Sequence, residues 1–209
     1  MRILVIGSHG TIGREIVKAL ADGNEIIGAA RKDADLSVDI TDPNSIVTMY
    51  AQLGRVDAVV CAAGGGAWKP LDQLSGEDFD ESLGNKLMGQ VNVIRYGLTN
   101  VNDGGSITVT SGVLSRSPMV GSAAISLVNA GLEGFVRAAA LEAPRGVRVN
   151  VVSPPWVTET LAAMGATDTS HGLPAATVAE AYVRSVTGNE TGQVLEPYAR
   201  GAQRAAGYM

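Results

Sequence analysis

The chain offers one cysteine, Cys61, and two histidines, so an internal disulfide is excluded and no set of metal ligands can be assembled from these residues. Basic residues are outnumbered: 16 Lys and Arg face 21 Asp and Glu, for a net charge of −5. No surplus is left to neutralise phosphates, which argues against nucleic acid as a partner. Charged residues make up only 18% of the chain and apolar ones 45%, outside the range of a disordered polymer. Long apolar runs are missing as well. None approaches the roughly 20 residues of a membrane span. Met1-Arg2 runs straight into Ile3-Leu4-Val5-Ile6 and then Gly7, too brief for a secretory signal. The expectation is a soluble, cytoplasmic protein with no membrane partner.

Glycine, in contrast, is plentiful. The 26 glycines follow no three-residue period and sit at the ends of apolar runs, where turns belong. A length of 209 residues suits one domain, and no linker or shift in composition divides it. Short apolar runs alternate with longer segments of helical period. Strands are expected at residues 3–6, 25–29, 56–60, 106–110, 147–152 and 193–195. Between them Ile12, Ile16, Ala19 and Leu20 mark one helix, and Ile46, Met49, Tyr50 and Leu53 a second, opened by Thr41-Asp42-Pro43. Phe79, Leu83, Leu87, Val91, Ile94 and Leu98 predict one long helix, followed by a turn at Asn102-Asp103-Gly104-Gly105. Ile125, Val128, Leu132, Phe135, Val136 and Ala139 predict another, and residues 177–186 the last. The alternation implies a doubly wound α/β fold: a single domain over residues 1–209 with a parallel sheet of about seven strands.

Gly7-Ser8-His9-Gly10-Thr11-Ile12-Gly13 joins the first strand to the first helix. In that position Gly7 can make the tight turn, Gly10 can let the backbone approach a pyrophosphate, and Gly13 can let the helix pack close to the sheet. A dinucleotide is the expected ligand of this loop. The second strand ends at Ala30 and is followed by Arg31 and Lys32, where an NAD site usually has a carboxylate. Arginine there suits the 2′-phosphate of NADP, with NAD the alternative because Asp33 and Asp35 follow.

These residues resemble the short-chain dehydrogenase/reductase family over nearly the whole chain. Asp39-Ile40-Thr41-Asp42 resembles the family segment that meets adenine, and Cys61-Ala62-Ala63-Gly64 the family turn after the fourth strand. The most specific match is Gly134-Phe135-Val136-Arg137-Ala138-Ala139-Ala140-Leu141-Glu142, then Arg145-Gly146-Val147-Arg148-Val149-Asn150-Val151-Val152-Ser153-Pro154. The resemblance implies that Gly7, Ser8, His9, Gly10, Thr11, Ile12, Gly13, Arg31, Asp39, Ile40, Ala62, Ala63, Gly64 and Pro154 bind the cofactor. It also implies assembly into a homo-oligomer through the two long helices, and a substrate lid after Pro154, here the short Ala-, Thr- and Gly-rich segment 161–173.

The family's catalytic serine, tyrosine and lysine fall at Gly112, Ile125 and Asn129, and its helix asparagine at Lys86. Isoleucine cannot move a proton and asparagine carries no charge. The titratable side chain left at these positions is Lys86, with Ser111 beside Gly112, so these two are the catalytic candidates. Three functions fit: an NADP(H)-dependent oxidoreductase on a small carbonyl or alcohol with a non-standard site, a redox-inactive cofactor-binding sensor or partner subunit, or a non-redox isomerase or cyclase.

Overall fold

In the computed structural model, residues 1–197 are described. Seven strands form one sheet in the order β3-β2-β1-β4-β5-β6-β7, every pairing parallel. They are β1 (Arg2–Ile6), β2 (Glu25–Ala30), β3 (Leu36–Ser37), β4 (Val56–Cys61), β5 (Val101–Thr110), β6 (Arg148–Val152) and β7 (Val194–Leu195). The continuous apolar run of β1 is explained by burial on both faces. Leu4 and Ile6 join one core layer and Ile3 and Val5 the other.

The first layer is covered by α2 (Pro43–Leu53), α4 (Gly89–Gly97) and α5 (Ala123–Glu142), which bury Ile46, Met49, Ile94, Leu132 and Val136. The second is covered by α1 (Thr11–Leu20) and α7 (Ala175–Thr187), through Ile16, Leu20, Val178 and Tyr182. Local chemistry sets the helix starts. Asp42 caps α2 by accepting from Asn44 N, with Pro43 in the first turn. Ser75 and Asp78 form a reciprocal capping box on α3 (Gly76–Ser82).

The structure departs from the sequence reading at four points. The two-residue β3 was not read from the sequence. Asn102–Gly105 is no separate turn but the first half of β5, bent at a register shift against β4 so that the strand continues through it. The long helix expected over 79–98 is interrupted: α3 passes into a π-helical stretch, Leu83–Met88, before α4 begins. Such stretches are rare and gather at functional positions. The segment after Pro154 is also more ordered than a free lid. It starts as α6 (Thr158–Ala163), and a bridge between Val157 and Leu173 ties its two ends together.

By length and composition α5 is the one helix among the described residues that could cross a membrane. Its Val128, Leu132 and Val136 are nevertheless buried within the fold.

Candidate functional site

The strand order reverses between β1 and β4, and the crevice that this opens at the carboxyl ends of the strands is where an α/β sheet binds ligands. A cleft of about 700 Å³ lies there, lined by Gly7, Gly10, Arg31, Asp39, Ile40, Ala62, Ala63 and Gly64. Gly7 has φ +82°, and its N–H donates to Ala29 O at 2.7 Å. A Cβ on Gly13 would lie 1.9 Å from Gly7 O, so the helix can pack this close to the loop only because the side chain is missing. No side chain caps α1, which leaves its first N–H groups facing outward from the loop for an anion.

Thr41 donates from both N and Oγ1 to Asp39, and these bonds, aided by the charge of Arg31, hold the Asp39 carboxyl below its ordinary range. Ser8, His9, Thr11 and Gly13 belong to the loop without lining the cleft. Ser8 is buried, and its Oγ has no hydrogen-bond partner.

A smaller pocket of about 230 Å³ adjoins the cleft and shares Ala62, Ala63 and Gly64 with it. Ile12, Lys86, Ser111, Gly112, Ile125, Asn129, Pro154 and Trp156 are in its wall. The four positions aligned with the family's catalytic groups therefore do converge on one cavity. Lys86, on the π-helical stretch, is buried and donates from Nζ to Ser111 O at 2.9 Å. Burial lowers its pKa from the ordinary 10.5 to about 8. Cys61 lies close enough to feel that charge, though its own burial dominates and pushes the thiol up to about 12. Lys86 is the one charged side chain in the pocket wall among the described residues.

Ser111 faces Lys86 with its carbonyl. Its hydroxyl is committed elsewhere, donating to Glu133 Oε1 at 2.9 Å. Ser115 donates to the same oxygen at 2.7 Å, so a buried carboxylate on α5 clamps the turn that follows β5. Gln90 fixes the strand end just before it, accepting from Thr110 N and donating to Thr110 O.

Asn129 is 1% exposed, and its Oδ1 has no partner. Gly112 lies against the same amide: a Cβ there would be 3.1 Å from Nδ2. A buried acceptor without a donor costs about 1–3 kcal/mol, and a ligand hydroxyl would satisfy it. The glycine cradle and this open acceptor both fit a dinucleotide, with pyrophosphate at one end and a ribose at the other.

The sequence reading missed Asn129 as a binding group and Glu133 altogether. A polar pair four residues apart within an apolar helical stripe was the available signal. Among the described residues, no group of three or more His, Cys, Asp or Glu side chains could hold a metal.

A family model described as enoyl-(acyl carrier protein) reductase matches residues 10–196. Hydroxynaphthalene reductase arp2 of Aspergillus fumigatus is 29% identical over 153 residues, which are 72% of this chain and 55% of that protein. The chain thus spans about half the length of that curated relative. The crystal structure of the protein lin1944 from Listeria innocua superposes with a TM-score of 0.91 at 38% identity, covering 95% of this chain and all of that one. A small-chain dehydrogenase solved in complex with NADPH shares the fold at 24% identity, with a TM-score of 0.83 and coverage of 94% and 95%.

Proposed function

The chain belongs to the short-chain dehydrogenase/reductase family, and from that premise we propose that it is an NADP(H)-dependent oxidoreductase of a small carbonyl or alcohol in which Lys86 handles the proton. The observation that carries this reading is the buried Lys86 ammonium, among the described residues the one charge in the wall of a pocket that opens off the dinucleotide cleft.

NADPH, when bound, supplies hydride. The loop Gly7–Gly13 and the N-terminus of α1 hold the pyrophosphate, with Ser8, His9, Thr11 and Ile12 shaping the backbone there. Arg31 takes the 2′-phosphate, Asp39 and Ile40 border the adenine, and Ala62, Ala63, Gly64 and Pro154 wall the path to the smaller pocket. Asn129 Oδ1 accepts from a ribose hydroxyl. Ser111 O holds Lys86 Nζ in place, and Glu133 holds Ser111. A substrate oxygen beside Lys86 would receive the Nζ proton in reduction and return it in oxidation, while the cofactor would supply or take up hydride at the adjoining carbon. Ile125 replaces a phenol with a hydrocarbon wall that keeps water from the reacting atoms. NADP is preferred over NAD because a guanidinium suits a phosphate better than a diol.

The absence of a tyrosine at 125 and a lysine at 129 favours a second reading, a binding protein without turnover. The two are separated by measuring NADPH binding through its fluorescence, then its oxidation with a panel of carbonyls across pH. The oxidoreductase reading expects kcat/KM for reduction to fall above pH about 8, as Lys86 loses its proton. Tight binding with no oxidation would decide for the second reading.

A second copy of the chain is proposed to cover the exposed Leu127 and Leu141 of α5 together with Met88, giving a dimer or tetramer. A reducing, cytoplasmic location suits the free thiol of Cys61.

A further inference from the structure

The chain contains two tryptophans, distant in sequence, of which Trp156 lines the smaller pocket and Trp68 stands against it. Their rings meet edge to face, with centroids 5.7 Å apart at 61°. Trp156 lines the pocket, and Leu173 N donates to its carbonyl at 2.8 Å. Trp68 is braced by the loop ahead of α5. Lys69 N donates to Gly121 O at 3.0 Å, and a Cβ on Gly121 would come within 2.9 Å of the Trp68 ring nitrogen. Even so, Trp68 remains 42% exposed, so the pair is a rim and not a piece of core. Two indoles that served only to fasten loops would both be expected inside the fold, whereas an indole in a cavity wall can take a ring against its own.

The remainder of the wall agrees. Ile12, Val113, Leu114 and Ile125 are aliphatic, and polar chemistry is limited to a few groups that include Lys86 and Asn129. Among the described residues of the wall, a substrate with a carboxylate or phosphate tail would find no cation for it except the one needed at its reacting oxygen. We propose that the pocket selects a planar, uncharged aryl ketone, or the matching benzylic alcohol, with its ring against Trp156 and its oxygen at Lys86. This rests on the oxidoreductase reading and names the substrate class for the same site. The carbonyl carbon gains hydride from NADPH, which leaves as NADP⁺, the oxygen gains a proton from Lys86, and the ring is unchanged.

The test compares 1-tetralone with 1-decalone, which share a ten-carbon bicyclic skeleton and ketone position but differ in whether one ring is flat. Binding to the full chain is measured by calorimetry with and without NADP⁺, for the parent, Trp156→Leu and Trp68→Leu, with folding checked by circular dichroism. The parent is expected to hold tetralone about tenfold tighter, and Trp156→Leu to lose most of that preference. Equal binding of the two ketones by the parent overturns the proposal, as does a preference that survives Trp156→Leu. Should that variant fail to fold, the parent's own ratio still decides. NADPH oxidation with the carbonyl panel, read separately by its fluorescence, tests the oxidoreductase reading. Ring preference without NADPH oxidation would sink that reading and leave a ring-selective pocket. NADPH oxidation without ring preference would do the reverse.

Discussion

Removing the ammonium of Lys86 tests the burial on which the proton-donor role depends. Its pKa lies near 8 in the folded chain against an ordinary 10.5. Between those values the unfolded chain keeps a proton that the folded chain has released, so stability rises with pH across that window. Below pH 8 both states are protonated and folding bears the whole cost of desolvating the charge. Two and a half pH units at about 1.36 kcal/mol each make that cost about 3 kcal/mol. Lys86→Met keeps a long apolar side chain and removes the charge. The difference in unfolding free energy, variant minus parent, is expected to favour the variant most near pH 7 and to fall by about 3 kcal/mol on the way to pH 10.5. Urea titrations of both proteins at closely spaced pH values read it, since titrating groups distant from Lys86 are common to the two and cancel, and the coupled thiol of Cys61 is held by burial up to about 12, above this window. A difference that stays flat refutes a buried, charged Lys86, and the proton donor with it. A difference that grows with pH would show that a carboxylate raises the lysine instead.

Four further outcomes follow from the geometry. Gly13→Ala puts a methyl 1.9 Å from Gly7 O and is expected to cost about 2–3 kcal/mol in a thermal melt and to abolish NADPH binding. Arg31→Ala should weaken NADPH by about 1.5–3 kcal/mol, the range for a charged hydrogen bond, and leave NADH untouched; equal losses would remove Arg31 from the phosphate site. Asn129→Leu deletes an unsatisfied buried acceptor, so the ligand-free protein should gain about 1 kcal/mol in denaturation while NADPH binds more weakly. Leu127→Asp combined with Leu141→Asp should give a monomer by light scattering where the parent gives a dimer or tetramer.

Burial on two faces made the fold legible. Residues 3–6 are apolar without interruption, and only a central parallel strand needs that. β3 escaped because two residues, one of them the exposed Ser37, carry no period. The π-helical stretch escaped for a subtler reason. Phe79, Leu83, Leu87 and Val91 recur every four residues where an α-helix alternates three and four, so the wide turn was hidden in spacing that also suits an ordinary helix.

Arg31 and Asp39 could be found because their place after a strand end announces them, and both line the cleft. Lys86 follows from the family resemblance, which sets the helix asparagine just ahead of Leu87-Met88-Gly89. The partner of Ser111 could not be found that way. Glu133 stands 22 residues further on, and although its place four residues after Asn129 in an apolar stripe marks it as buried, nothing local says which group it meets. Long-range polar pairing of this kind is decided by packing, after the helices dock.

The bridge between Val157 and Leu173 makes the segment between them a closed loop whose two ends are already side by side. Leu173 N bonds to Trp156 O and Thr158 N to Leu173 O, and the Glu159 carboxylate adds to the junction by accepting from Ala175 N at the start of α7. Closing a loop twice as long over such a junction costs only about 0.6 kcal/mol. With Glu159 and Gly172 kept, residues 160–171 can therefore be exchanged for longer or differently shaped segments while the sheet and Lys86 stay where they are, which makes this loop an insertion point for redesigning what the pocket admits.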